Sequence, residues 1–252
     1  MGMQYKQGFT IIEVILFLAI TGLLAITLLT GWTTMINTQR YRDSVKTVQS
    51  FIQQQYGQVY NVQNSRDANL NCATGGADGP EVGDGTSRPV GQTGCIVMGR
   101  YIHITGGTKI EVYSIIGEDG ESAPTAQDNT IILERNPVRL DQSLNTDDSQ
   151  LNIPWQARVV DGNTVNTLNA VIVIVRSPQT GAVHTYSKKT SNASDMPTVK
   201  SLILTVGSEN GINLCLDAES TLSGGRMGVA VQPRASGQSS IVTIPDGPGA
   251  CQ

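Results

Sequence analysis

"KQGFTIIEVILFLAITGLLAITLLTGW", residues Lys6 to Trp32, is the stretch whose reading decides the fold. From Val14 to Gln39 there are 26 consecutive residues without a charged side chain. About 20 apolar residues cross a bilayer as a helix. Leu, Ile and Ala dominate the run, Gly22 and Gly31 are its weak helix points, and no proline occurs before Pro80. The run begins abruptly after Gly8, and Glu13 sits near its start. An ionised carboxylate costs ~2.5–3.5 kcal/mol at mid-membrane and less near an interface, so Glu13 needs a reason to be there.

Beyond the run the pattern becomes amphipathic. Tyr41, Val45, Val48, Ile52, Tyr56 and Val59 recur at spacings of 3 and 4 residues, which is one apolar stripe on a helix. Arg40, Arg42, Asp43, Lys46, Gln49, Gln53 and Gln54 fall largely off it. The two patterns predict one continuous helix from near Phe9 to near Gln58, roughly 75 Å long at 1.5 Å per residue. Its first half would lie in lipid and its second half would pack on something globular. The stripe is read as a packing face rather than a ligand groove.

The rest of the chain has a different texture. "RYIHIT" and "TKIEVYSIIG" are joined by Gly106-Gly107, a hairpin signal. "NAVIVIVRS" and "GAVHTYS" flank Pro178-Gln179-Thr180, a second one. "TIILER", "QARVVD", "KSLILTV", "INLCLD", "RMGVAVQ" and "SSIVTIP" also read as strands. Residues 73–94 hold seven glycines and two prolines and read as a loop without regular structure. Residues 141–152 read as a polar surface loop. The whole predicts an α+β fold, a long N-terminal helix with an antiparallel β-rich domain.

The chain has 252 residues, 39% hydrophobic, enough for one or two domains with a sizeable core. Its formal net charge of −4 disfavours bulk binding to nucleic acid, whose phosphates demand a basic footprint, and leaves open only a local basic patch such as Lys188-Lys189. The four cysteines, Cys72, Cys95, Cys215 and Cys251, form no CxxC pair, so zinc-type spacing is absent. An even number at wide spacing suits two disulfides in an oxidising compartment. Of the three pairings, Cys72–Cys95 with Cys215–Cys251 closes the most local loops; four buried thiols are the competing reading.

Nothing in the sequence assembles a reaction centre. His103 and His184 lie 81 positions apart in strand-like runs, and no metal site is expected of them. The acidic sets Asp78/Glu81/Asp84 and Asp141/Asp147/Asp148 do not fit an EF-hand loop and read as solvated carboxylates. No hydrolase, zincin, phosphate-loop or kinase signature is present, so no catalytic residue and no cofactor are expected.

Gly8, Phe9, Thr10 and Glu13, followed by the uninterrupted apolar run, resemble the start of a type IV prepilin. The close resemblance covers about residues 8–30. It implies that residues 1–8 are a leader cut after Gly8 by a prepilin peptidase, and that Phe9 is then N-methylated. Residues 9–34 become the transmembrane and polymerisation helix, 35–60 its amphipathic continuation, and 61–252 a pilin-like globular domain. Glu13 would pair with the Phe9 amine of a neighbouring subunit when helices leave the bilayer for a filament core, where an unpaired carboxylate is costly and a paired one is compensated. The family often staples a C-terminal loop by a disulfide, a role the Cys215–Cys251 segment fits.

The implied partners are other pilin subunits, the peptidase, an inner-membrane assembly platform and membrane lipid. The implied location is a single-pass membrane protein with its C-terminal domain outside the cell, then a surface filament serving adhesion, motility or DNA uptake. The chain departs from many relatives in lacking a mid-helix proline, having Thr30-Gly31 in that neighbourhood. Two other readings stand beside this one. One is a pseudopilin of a type II secretion system; the other is a membrane-anchored extracellular binding domain that never polymerises.

Overall fold

The computed structural model describes residues 10–61, 70–73, 81–84, 95–120, 126–140, 150–162, 166–206, 210–218, 226–245 and 251; for 70–73 and 81–84 only the backbone is described. The long helix, α1, runs unbroken from Ile11 to Tyr60, 50 residues. Thr10 caps it: its backbone is extended, and its hydroxyl accepts from the Glu13 amide at 3.4 Å. Neither Gly22 nor Gly31 interrupts the helix.

Among the described residues, twelve strands follow the helix in three antiparallel sheets, so the chain is α+β. The largest sheet centres on β3 (Cys95–Thr105) and β4 (Lys109–Glu118), β8 (Asn169–Arg176) and β9 (Val183–Thr190), in the order β4-β3-β8-β9. The short strand β5 (Val138–Arg139) extends the β4 edge, and β6 (Gln150–Asn152) pairs with the other end of β4. Gly106 and Gly107, at φ 57° and 70°, make the β3–β4 turn. The strands pair out to Thr105 and Lys109, so three residues make the loop, and its first two are left-handed, a conformation glycine adopts without a Cβ clash. Gly99 marks a register shift in β3, where a Cβ would collide with the Ile174 carbonyl oxygen.

The run Ala170–Val175 is apolar at every position because both faces of β8 are covered, unlike a strand with one wet face. Ala170, Ile172 and Ile174 point one way with Ile102, Ile104, Ile110 and Val112, and this face joins the α1 stripe in one buried cluster. Val171, Val173 and Val175 point the other way with Tyr101, Tyr113 and Tyr186, against two short helices. These are α2 (Asp128–Glu134) and α3 (Val199–Val206).

Both helices correct the sequence reading, which made "TIILER" and "KSLILTV" strands. In α3 the buried residues are Val199, Leu202 and Ile203, while Leu204 is exposed, the i, i+3, i+4 signature of a helix face. Thr198 accepts from the Ser201 amide at 3.2 Å at its start. In α2 the buried pair Ile131 and Ile132 is too short a run to reveal a period, and β-branched side chains mislead.

A second sheet has the order β12-β11-β10-β7, with β7 Arg158–Val160, β10 Ile212–Asp217, β11 Gly228–Val231 and β12 Ile241–Ile244. Its Leu214, Leu216, Val229, Val231 and Ile241 join the same cluster as the α1 stripe. On its other face Cys215 and Cys251 form a disulfide with Cα atoms 5.6 Å apart, buried beside Val160 and Ile244. The cysteines lie 36 positions apart, and closing a loop of that size in the unfolded chain stabilises by about 4 kcal/mol on the chain-entropy argument. Cys95 is also disulfide-bonded; the Cys72 side chain expected opposite it lies outside the described residues.

Two loop expectations are corrected as well. Within residues 73–94, Glu81–Asp84 form β2, paired antiparallel with β1 (Leu70–Ala73) in the third sheet. Ladder pairing uses backbone groups alone, so it needs no apolar alternation that a sequence could display. In residues 141–152, the last three form β6.

Candidate functional site

The two halves of α1 differ in everything but backbone. From Ile11 to Met35 its large apolar side chains are exposed, from 46% at Val14 to 79% at Ile11, and no part of its most apolar window is buried within the chain. An uncovered apolar surface of this length is a binding surface for something. The helix is long and apolar enough to cross a membrane. Its hydroxyls suit a dry environment. Thr21 donates to the Phe17 carbonyl at 2.8 Å and Thr27 to the Leu24 carbonyl at 2.9 Å, so neither needs water.

The second half is bound into the domain. Tyr41, Val45, Val48, Ile52, Tyr56 and Val59, the six stripe residues, are all buried. Polar anchors run beside them. The Tyr41 hydroxyl donates to the Leu216 carbonyl at 2.7 Å and accepts from the Met227 amide at 2.8 Å. Ser44 donates to the Pro154 carbonyl at 2.9 Å. Gln49 donates to the Ile241 carbonyl at 3.0 Å and accepts from the Thr243 hydroxyl at 2.9 Å. Tyr56 and Thr185 share a hydroxyl–hydroxyl bond of 2.8 Å, and the Thr185 hydroxyl donates to the Ala235 carbonyl at 2.7 Å. Tyr60 donates to the Ser236 carbonyl. The glutamines at 49 and 53 lay off the apolar stripe in sequence; their work on the β12 backbone has no signature in a hydrophobic period.

Of the residues singled out in sequence, Gly8 and Phe9 lie outside the described residues. Glu13 stands exposed in the first turn of α1. With Thr10 it makes the sequence pattern Thr-x-x-Glu of a capping box, of which the structure shows the Thr10 hydroxyl accepting from the Glu13 backbone amide. A carboxylate there also faces the positive end of the helix dipole. Asp78, Asp141, Asp147 and Asp148 lie outside the described residues, as do the side chains of Glu81 and Asp84.

The two histidines sit apart, on β3 and β9. His184 Nε2 lies 3.2 Å from Asp128 Oδ2, which bridges β9 to α2. Burial pushes the Asp128 carboxyl up, but hydrogen bonds from Thr180, Ser177 and His184 outweigh it and hold its pKa below the usual value. Among the described residues no group of three or more His, Cys, Asp and Glu is placed to hold a metal ion. Of the basic pair, Lys189 is neutralised by Asp161 at 2.5 Å.

His103 is 1% exposed, and its Nε2 has no hydrogen-bond partner. Burial lowers its pKa from 6.5; Glu111, 3.7 Å from Nδ1, opposes this, Arg139 adds to it, and Asp195 opposes it more weakly. A depressed histidine pKa means the unfolded chain takes up the proton first. The stability due to neutral His103 is therefore fully present above pH 6.5 and is lost as the pH falls through the lower folded value. Denaturation midpoints are expected to fall between about pH 7 and pH 5, with the fall reduced in His103→Gln. An equal fall in both proteins would refute the assignment.

No protein-family model matches the chain, and neither a curated protein nor a solved structure does.

Proposed function

We propose that the chain is a structural subunit of a type IV pilus, cut after Gly8, methylated on Phe9 and assembled into a filament through the first half of α1. What supports the reading above all is the division of one helix into an uncovered apolar half and a half buried in the domain. Such a subunit can exchange lipid for other copies of the same helix without unfolding its domain. Glu13, at the entry of the uncovered half, is the group that would choose between docking positions. In a low-dielectric bundle a carboxylate is tolerated where a cation meets it, and the Phe9 amine of a neighbour is the cation this chemistry supplies. The globular domain then faces outward and makes lateral contacts, with the helix packed by its second half on the sheets in the pilin-like manner. In this scheme the chain performs no catalysis.

A second reading is favoured by one observation. Glu13 lies in the first turn of α1, where a carboxylate meets the positive end of the helix dipole, and that local purpose would be shared by a membrane-anchored domain that never polymerises. A secretion-system pseudopilin would carry the same processed N-terminus.

Mass spectrometry of sheared surface filaments, with the membrane fraction alongside, tests the three. A chain beginning at methylated Phe9 and abundant in the filaments is expected. Methylated Phe9 confined to membranes would favour the pseudopilin. Residues 1–8 still attached would leave the plain anchor.

A further inference from the structure

Trp155 sits on a loop whose backbone is left-handed at two successive residues, with φ 59° at Trp155 and 57° at Gln156. Side chains bearing a Cβ rarely adopt that conformation, and Gly or Asn is the usual occupant. This position instead carries the bulkiest side chain, 55% exposed and a member of none of the buried clusters. The domain's packing does not explain it.

The loop is pinned to α1. Ser44 donates to the carbonyl of Pro154, the residue before Trp155, at 2.9 Å. The Arg40 guanidinium carbon stands 4.8 Å from the centroid of the Trp155 ring. The height of the indole along α1 is thus set by residues 40–44. Helical side chains lean toward the helix N-terminus, so Arg40 reaches back toward the uncovered half. There the apolar run closes with Trp32 and Met35, both exposed. From Trp32 to Arg40 is roughly 12 Å of helix axis, and the headgroup layer beyond the hydrocarbon is about 5–8 Å thick on each side. The backward lean of Arg40 brings the two lengths together.

The chemistry at this level matches a phospholipid surface. Indole rings favour the membrane–water boundary, and a guanidinium pairs with phosphate. Arg40, Arg42 and Lys46 are exposed, with Asp43 the one acidic residue from 40 to 46. Cationic residues beside a membrane are attracted to anionic headgroups.

We propose that Trp155, backed by Arg40 and in register with Trp32, seats the globular domain on the phospholipid headgroup layer while the chain is held in a bilayer. The contact fixes the height and rotation of the domain above the membrane. The inference rests on the uncovered half of α1 being the membrane span.

The chain contains two tryptophans, Trp32 and Trp155, so one substitution isolates either. Full-length Trp32→Phe and Trp155→Phe proteins would be reconstituted in phosphatidylcholine vesicles with a minority of anionic phospholipid. One vesicle set carries bromine near the headgroup and another near the chain ends. In Trp32→Phe, the Trp155 emission is expected to shift to the blue on reconstitution and to be quenched by the shallow bromines but not the deep ones. Trp155 unquenched in both sets, with Trp32 quenched in Trp155→Phe, would overturn this contact and leave the membrane span standing. Both tryptophans unquenched would remove the span and the contact with it.

Discussion

Glu13→Gln is expected to leave the chain in the membrane and to strip it from sheared filaments, with a loss of roughly a hundredfold to a few thousandfold. The size follows from breaking a buried ion pair by removing one partner, which costs ~3–5 kcal/mol, where each 1.4 kcal/mol is tenfold in an equilibrium. The glutamine is chosen because Glu13 has two jobs to separate. As the fourth residue of the pattern Thr10-x-x-Glu13, it holds a position where Glu and Gln both suit a helix start, so Gln keeps that job. As a carboxylate, it would neutralise the Phe9 amine of a neighbour, which Gln cannot. Glu13→Ala loses both jobs, and loss of a cap costs ~0.5–2 kcal/mol by itself. If Gln assembles normally while Ala does not, the residue serves the helix start and the pairing argument fails. If both assemble normally, the polymerisation role of the first turn is gone. Membrane content, measured beside filament content, must stay level in either variant, since removing a charge from an apolar segment cannot oppose insertion.

What the sequence made legible and what it hid divide along physical lines. The stripe from Tyr41 to Val59 was plain because a helix with one covered face must repeat apolar residues at 3 and 4, and all six of its members are buried. The β3–β4 and β8–β9 hairpins were plain because their turns demand particular residues. The helices α2 and α3 were missed because each is short, 7 and 8 residues, and rich in the apolar and β-branched side chains that also suit a strand. "VIVIV" in β8 announced two covered faces, and a search for what covers the second would have turned to "TIILER" and "KSLILTV". The small sheet of β1 and β2 is written in backbone pairing, which leaves no side-chain pattern. At the site, the uncovered half of α1 could be read by composition. The hydroxyl and amide anchors beside the stripe could not, because a polar residue on a helix is ordinarily solvated. Trp155 was invisible as a site because its meaning lies in its height along α1, which only the fold defines.

The second large effect is expected at Tyr56, where the buried half of α1 combines full burial with a hydrogen-bonded hydroxyl. Its side chain is fully buried, and its hydroxyl leads into Thr185 and on to the Ala235 carbonyl. Tyr56→Ala empties the space of an aromatic ring, which costs ~3–5 kcal/mol. Against a total stability of about 5–15 kcal/mol, that is a third or more for many domains. Tyr56→Phe keeps the ring and removes the hydroxyl, so it should cost about 1–3 kcal/mol, the price of leaving Thr185 short of a donor. Burial pushes the Tyr56 phenol up to about 12, so it remains a donor across the whole neutral range and neither loss should vary there with pH. The readout must follow the domain, because the apolar half of α1 stays helical in a micelle whatever happens beyond it. Near-ultraviolet dichroism or protease resistance during denaturant titration of the full chain meets that need, with membrane insertion as the control. A midpoint for Tyr56→Ala equal to that of the unaltered chain would mean that the stripe does not hold α1 to the strands. The expected fall, with insertion intact, would mean the reverse of the Glu13 result: one variant keeps a folded domain that cannot assemble, the other an inserted helix whose domain has come loose. Two halves of one unbroken helix would then have separable duties, which the burial pattern along α1 requires of them.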